Sequence, residues 1–140
     1  MEPRSGCPIN AAVEVLGDRW ALLVLRDVIF GDRRYFRALL TGSAEGIASN
    51  ILADRLVRLV DAGILTRGTA ARGQRARYSL TEAGIQTLPI LVAFGNWGLE
   101  WRPGDATEHD RRQSLLRGGP IQVAELMDEL RVRHLSAPED

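Results

Sequence analysis

The residues best able to do chemistry are the arginines between Arg67 and Arg77. This stretch holds four arginines and no acidic residue, and a guanidinium group can bind a phosphate through two parallel hydrogen bonds. The alternative is a solvated hairpin in a lysine-free protein, since all 18 basic residues are arginines. The pattern favours contact with phosphate groups, with Arg72, Arg75 and Arg77 as the candidate residues.

Other chemistry has little support in the residue types. Without lysine there is neither a Walker A phosphate loop nor a Schiff base. Cys7, His109 and His134 do not have the spacing of metal ligands, and both histidines are expected to be exposed and without a role. No Gly-x-Ser-x-Gly nucleophile motif occurs. We therefore expect no enzyme, no metal site and no cofactor.

Composition and charge narrow the class further. The 140 residues are 45% hydrophobic and 26% charged, which describes one ordinary globular domain with a small appendage. No apolar run is long enough for a membrane span, and residues 1–6 lack a secretion signal, so we expect a cytoplasmic protein. The net charge is zero, but residues 1–80 carry 12 arginines against 8 acids and residues 81–140 carry 6 against 10. The basic first half favours an anionic partner.

Apolar periodicity and turn residues predict a helix-rich chain with one hairpin. Gly63 should end the helix that precedes the hairpin. Thr81 should cap the long helix that follows the hairpin, and that helix should kink at Pro89. The predicted helices are Ile9–Leu16, Arg19–Phe30, Tyr35–Leu40, Ile47–Ala62, Glu82–Trp101, Glu108–Leu116 and Pro120–His134, and the predicted strands are Leu65–Thr69 and Arg75–Leu80. In the last helix, Ile121, Ala124, Met127 or Leu130, and Leu135 are spaced for one face.

Helices followed by a two-stranded hairpin form the winged helix-turn-helix arrangement. The expected fold is mainly α with a small β-hairpin wing. Tyr35–Leu40 would support Ile47–Ala62, whose stripe of Leu52, Leu56, Leu59 and Val60 faces the core while its opposite face enters the major groove. The candidate DNA-binding residues are Ser49, Asn50, Ala53, Asp54, Arg58, Arg72, Arg75 and Arg77. Asn50 could pair with adenine and Ser49 with a base or phosphate, whereas Asp54 could pair with Arg58 or accept from cytosine.

Several short motifs in this order resemble the HxlR-type winged-helix transcriptional regulators of bacteria, relatives of the MarR group. The resemblance runs from Cys7 to about Trp97. Its motifs are Cys7-Pro8, Gly17-Asp18-Arg19-Trp20, Gly31 to Phe36, Gly46-Ile47, Gly63-Ile64-Leu65, Tyr78 to Thr81 with Gly84, and Trp97-Gly98. In the family a serine or threonine often caps the recognition helix, but here that position is Ala48, so we expect Ser49 to take over the cap.

The resemblance implies a cytoplasmic homodimer that binds a pseudo-palindromic operator on double-stranded DNA as a repressor or an activator. It implies N-terminal and C-terminal dimerisation helices, namely the first helix and the long helix after the wing. Residues 1–103 would form the winged helix-turn-helix domain. Residues 104–140 extend beyond the resemblance, and their own pattern predicts a helical extension whose end, from Ser136 to Asp140, is disordered. The sequence does not identify a small-molecule effector.

Cys7 is the candidate redox-sensing residue, as the cysteine of the Cys-Pro motif is in several family members. Pro8 suits the first position of a helix, so Cys7 would be the N-cap, where the helix dipole and nearby Arg4 favour the thiolate. With no second cysteine, the options are alkylation, a mixed disulfide, or a bridge to Cys7 of another subunit. Coverage by residues 1–6 would instead leave the thiol inert.

Two alternatives stay open at this point. Phe94, Trp97 and Trp101 could pack in a dimer interface or line an aromatic ligand pocket there. The chain could also be a winged-helix module that contacts only proteins, although the arginine-rich wing disfavours that.

Overall fold

The computed structural model describes residues 5–70, 73–102, 104–105, 107–108 and 119–136. These residues belong to two compact units, Met1–Thr81 and Glu82–Asp140. Several predictions concern residues outside the described ranges. They are the helix Glu108–Leu116 apart from position 108, the hairpin-tip residue Arg72, the exposure of His109, and the disorder of residues 137–140. The predicted domain boundary after residue 103 stays a prediction.

The first unit has the predicted order of helices followed by a hairpin. Its elements are α1 (Pro8–Leu16), α2 (Arg19–Ile29), α3 (Phe36–Thr41), α4 (Ser49–Asp61), β1 (Leu65–Arg67) and β2 (Tyr78–Leu80). The two strands are antiparallel, with Leu65 opposite Leu80. They are shorter than predicted, and one further hydrogen bond, from the Gly68 N–H to the Arg77 carbonyl at 2.8 Å, continues the pairing. The mainly helical fold with a small two-stranded sheet is confirmed.

The core of this unit lies where α2, α3 and α4 meet. α2 contributes Val24, Leu25 and Val28, all nearly inaccessible to solvent. From α4, Leu52, Leu56 and Leu59 are buried as the periodicity predicts, whereas Val60 is half-buried. Each fully buried leucine of this size contributes about 1.5–3 kcal/mol relative to exposure. This packing fixes which face of α4 is turned to solvent.

The two ends of α4 are formed differently. At its start the prediction for Ser49 is wrong: Ala48 occupies the N-cap position without a side-chain hydrogen bond, and Ser49 is already helical. Extended backbone at Ala48 sets this boundary, and Ser43 Oγ accepts the neighbouring Ile47 N–H at 2.9 Å. At its end Gly63 has a φ of +77°. There the N–H groups of Gly63 and Ile64 donate to the carbonyls of Val60 and Leu59, which confirms the predicted stop.

The second unit contains α5 (Glu82–Ile85), α6 (Leu88–Trp101) and α7 (Pro120–Leu135). The single helix predicted over Glu82–Trp101 is therefore wrong. Pro89 has no N–H and its ring would clash with the carbonyl four residues earlier, so it lies in the first turn of a new helix rather than at a kink. Thr87 marks the break, because its hydroxyl and its N–H both donate to the Gly84 carbonyl, at 2.6 and 3.1 Å.

The buried face of α7 also differs from the apolar face that the spacing predicts. Leu126, Met127, Leu130 and His134 are buried, whereas Ile121, Ala124 and Leu135 are exposed. The expectation that His134 is exposed is therefore wrong. An ion pair between Arg131 and Glu82 at 2.8 Å joins α7 to α5 and lowers the pKa of Glu82 to about 2. α7 packs against α5 and α6, and these contacts, which its own sequence does not specify, decide which of its faces is buried.

Candidate nucleic-acid interface

The solvent face of α4 brings five of the predicted DNA-binding residues together. Ser49, Asn50, Ala53, Asp54 and Arg58 are all exposed. The helical period divides this face into two stripes. One carries Asn50, Ala53 and the additional exposed residue Val57, and the other carries Asp54 and Arg58. The residues are placed as the prediction requires, and their contact with DNA stays a prediction.

The charged stripe of α4 is internally neutralised. Arg58 Nε lies 2.9 Å from Asp54 Oδ2, one turn apart, which confirms the predicted pairing of these two residues. The same carboxylate oxygen accepts from Arg55 Nη1 at 2.8 Å. Asp54 is therefore held by two guanidinium groups, which removes the repulsion that a lone carboxylate would meet at a phosphate backbone.

Arg55 also connects α4 to the start of α2. Its Nε and Nη2 donate to the two carboxylate oxygens of Asp18 at 2.7 and 3.2 Å. Asp18 is the N-cap of α2 and accepts the Ala21 N–H at 2.9 Å. The Arg55 guanidinium lowers the pKa of Asp18. Sequence reasoning missed this contact, because nothing local pairs residues 37 positions apart.

A second group of ion pairs links α2 to the turn before α4. Arg26 binds Glu45 through two nitrogen–oxygen contacts of 2.7 Å, and each partner shifts the pKa of the other toward the charged form, raising that of Arg26 and lowering that of Glu45. The buried carboxylate of Asp27 accepts from Arg26 Nε at 3.0 Å and lies 3.5 Å from Arg33 Nη1. A buried carboxylate is tolerated only with such partners. These contacts position the turn that leads into α4.

Buried Arg34 attaches the wing, residues 65–80, to the helices. Its Nε donates to the Tyr78 carbonyl at 3.0 Å and its Nη2 to Ser79 Oγ at 2.5 Å, while the Tyr78 N–H donates back to the Arg34 carbonyl at 2.7 Å. Tyr35 forms an isolated antiparallel bridge with Arg77. The hairpin is thus joined to the residues just before α3 by side-chain and backbone bonds.

Four arginines of the first unit lie at or beside a cleft between α3 and the wing. The cleft has a volume of about 290 Å³ and is lined by Phe36, Arg37, Arg67, Arg75, Ala76 and Tyr78. Arg75 stacks on the Tyr35 ring at 4.4 Å, and Arg77 pairs with Tyr35 through its backbone. In the ranges that the structure describes, none of these four guanidinium groups forms an ion pair with a carboxylate.

Sequence reasoning placed Arg75 and Arg77 in this group but not Arg37 or Arg67. The sequence could have indicated Arg67, because this residue begins the run of arginines that contains no acidic residue. The sequence could not have indicated Arg37, because only the folded chain brings the first turn of α3 beside the wing. Arg72 lies outside the described residues, so its predicted contact stays a prediction.

Among the helices that expose apolar side chains are α1 and α6. No residue of α1 is buried, and Ile9 and Val13 are largely exposed. On α6, Phe94, Trp97 and Trp101 expose 59–66% of their surface at spacings that place them on one face. Cys7 is the N-cap of α1, with Pro8 at the first helical position, and it is exposed.

Among the described residues, no group of histidine, cysteine and acidic side chains could hold a metal ion. In the same residues, no helix has the length and apolar character that a membrane span needs.

The comparisons with known proteins agree with this geometry. Residues 15–106 match the model of the HxlR-like helix-turn-helix family, and the chain belongs to that family. It is 35% identical over 99 residues to an HTH-type transcriptional regulator of Mycobacterium tuberculosis, covering 70% of this chain and 61% of that protein. The chain thus spans less than two thirds of that relative's length.

Solved structures show the same fold. The crystal structure of PA1607, described as a transcription factor, has a TM-score of 0.66 and 33% identity, covering 76% of this chain and 72% of that one. The reduced form of the transcriptional regulator YodB from Bacillus subtilis has a TM-score of 0.56 and 27% identity, covering 72% of this chain and all of that one. The winged helix-turn-helix architecture is thereby established.

The contact between Asp18 and Arg55 predicts a pH-dependent stability. Asp18→Asn keeps a capping oxygen but removes the charge. Because Arg55 lowers the pKa of Asp18, the pair stabilises the fold fully above about pH 4, the ordinary aspartate value, and this stabilisation is lost as the pH falls through the lower folded value. We expect the variant to be less stable at neutral pH by at most about 1 kcal/mol, as for a partly exposed ion pair.

Urea unfolding at a series of pH values checks this expectation. The difference from the unmodified protein should disappear in strong acid. Asp61→Asn is the control, since Asp61 is an exposed carboxylate of α4 without an arginine contact in the described ranges. A stability difference for Asp18→Asn that stays constant into strong acid would contradict the assigned ion pair.

Proposed function

We propose that this HxlR-family protein is a sequence-specific transcriptional regulator that binds double-stranded DNA as a homodimer. In this proposal α4 enters the major groove and the arginines around the wing bind the flanking phosphates. The dimer binds a pseudo-palindromic operator in the cytoplasm and acts as a repressor, by occupying promoter DNA. No catalytic step is part of the function.

The main support for this proposal is that some arginines bind carboxylates of the protein, whereas those at the cleft and wing do not. Arg26, Arg33 and Arg55 bind carboxylates of the protein itself. The guanidinium groups of Arg37, Arg67, Arg75 and Arg77 have no such partner among the described residues, and because they lie together at the cleft and wing they can bind an anion there. A formal net charge of zero is compatible with DNA binding when the unpaired cations are gathered in one place.

The relatives support the same reading. The Mycobacterium tuberculosis protein and YodB are named as transcriptional regulators, and PA1607 is described as a transcription factor. The competing possibility, a winged-helix module that contacts only proteins, gives no reason for exposed, unpaired arginines on the wing. It would appear in the following experiment as an absence of DNA binding.

Substitution of the cleft arginines tests the phosphate contacts. Arg37→Ala, Arg67→Ala and Arg75→Ala should each weaken binding to all duplex sequences. Each should also reduce the slope of log affinity against log salt by about 1 per arginine, hence about 2 per dimer. Fluorescence anisotropy over a salt series measures both quantities.

The matched control is Arg102→Ala, which removes the same charge from an exposed arginine after α6. It should leave the salt slope unchanged. Unaltered slopes for all three cleft variants would contradict the assigned phosphate contacts, and failure of the unmodified protein to bind any duplex would contradict the proposed function.

Dimerisation is proposed through the exposed apolar surfaces of α1 and α6. Two tryptophans and a phenylalanine on one face of a helix are unusual on the surface of a monomer, and buried aromatic residues dominate interface energies. The same three rings could instead line a pocket for an aromatic effector at that interface. Both readings place Phe94, Trp97 and Trp101 where two subunits meet.

Trp97→Ser should raise the dimer dissociation constant at least about 30-fold, because a central aromatic residue contributes about 2 kcal/mol or more to an interface. Sedimentation velocity over a dilution series measures it. Val132→Ser, which changes an equally exposed apolar residue of α7, serves as the control. A monomeric unmodified protein at micromolar concentration would contradict the dimer.

Cys7 is proposed as a thiol switch for DNA binding. The support is its exposure and its position at the N-terminus of α1, beside the proposed dimer contact. Oxidation could bridge the two Cys7 side chains of a dimer or add a small thiol, and either product would change the packing of α1.

Treatment with diamide should lower operator affinity at least tenfold in the unmodified protein and leave Cys7→Ser unchanged. Mass spectrometry under non-reducing conditions identifies the product. Full oxidation of Cys7 with unchanged affinity would reduce this residue to a surface position.

A further inference from the structure

The exposed face of α4 has an uncharged stripe, made of Asn50, Ala53 and Val57. These residues follow one another at helical spacings of three and four, so they lie in one row. Val57 exposes 60% of its surface, although it belongs to a helix whose other large apolar residues are mostly buried. The stripe therefore offers one amide and three methyl groups to whatever contacts this face.

The charged groups of α4 are committed elsewhere. Arg55 is only 18% exposed and is held by Asp18 and Asp54. Asp54 is held by Arg55 and Arg58. The usual reader of guanine is a free arginine, and the usual acceptor for the cytosine amino group is a free carboxylate. In the first turns of α4, neither is available without breaking these contacts, and the carboxylate of Asp61, unpaired among the described residues, lies at the opposite end of the helix.

The positions of these residues along α4 also separate those suited to contact bases from those suited to contact phosphates. In a helix-turn-helix protein the N-terminal residues of the recognition helix contact the base edges. Asn50 and Ala53 lie in the first turns of α4. Arg58 lies nearer the end of this helix and is the residue best placed to contact the DNA phosphate backbone. An exposed pair such as Asp54–Arg58 costs little to open, so Arg58 can still reach a phosphate.

We propose that α4 reads a half-site whose core consists of A·T base pairs. Asn50 donates to N7 and accepts from the N6 amino group of an adenine, and the methyl groups of Ala53 and Val57 pack against the C5-methyl groups of thymines. The inference rests on the proposed DNA-binding function and adds the base composition of the site. Sequence preference then comes from α4, while the cleft arginines supply most of the affinity.

The experiment starts by selecting binding sites from a random duplex library with the full chain. The selected half-sites should share a core of A·T pairs. Each thymine of that core is then replaced by deoxyuridine, which removes only the C5-methyl group. At one or two positions this should weaken binding about 4-fold, the equivalent of the ~0.8 kcal/mol of one buried methyl group.

Protein variants assign the contacts. Val57→Ala should abolish the effect of deoxyuridine at one thymine, and Asn50→Ala should abolish the effect of 7-deazaadenine at one adenine. Val132→Ala is the matched control, because it makes the same change at an exposed valine outside the first unit. It should leave every modified duplex as sensitive as before.

Two outcomes would overturn the inference and are distinguishable. A selected core of G·C pairs, weakened by 7-deazaguanine and unaffected by deoxyuridine, would contradict the A·T half-site while leaving the DNA-binding function intact. Failure to enrich any sequence, with no duplex bound even at low salt, would contradict the proposed function and with it this inference.

Discussion

The arrangement of α4 and the wing depends on the buried side chain of Arg34. Two strands of three residues cannot hold a position alone, because an isolated short hairpin is only marginally stable. Arg34 bonds to the Tyr78 carbonyl and the Ser79 hydroxyl, and its own carbonyl accepts from Tyr78. The wing is thereby fixed to the residues that begin α3, and α3 packs against α4. The proposed binding of α4 and the wing to one duplex needs such a connection.

The other arginines of the fold have one of two main roles. In this lysine-free chain with as many acids as arginines, some of the described arginines bind carboxylates of the fold, whereas others have no carboxylate partner and stay available to a ligand. Arg26 and Arg55 take the first role and position the two ends of the helix-turn-helix. Arg37, Arg67 and Arg75 take the second and surround the cleft beside the wing. The neutral net charge therefore conceals a surface with a local excess of positive charge.

What the sequence predicted well is local. The buried leucines of α4 follow the helical period, and Gly63 ends the helix because a left-handed residue is needed there. What it missed depends on distant contacts or on rigid local sterics. The bond between Asp18 and Arg55 joins residues far apart in the chain, the buried face of α7 is decided by its packing against α5 and α6, and Pro89 separates two helices instead of bending one. Of the site, the exposed residues of α4 were predictable, whereas the contribution of Arg37 required the fold.

Amide hydrogen exchange, measured on the full chain with and without a selected duplex, shows whether α4 and the wing bind one DNA duplex together. If they do, the duplex should slow exchange in both α4 and residues 73–80, at the same DNA concentration. Slowed exchange in α4 with an unaffected wing, or protection confined to residues 82–136, would contradict this joint binding.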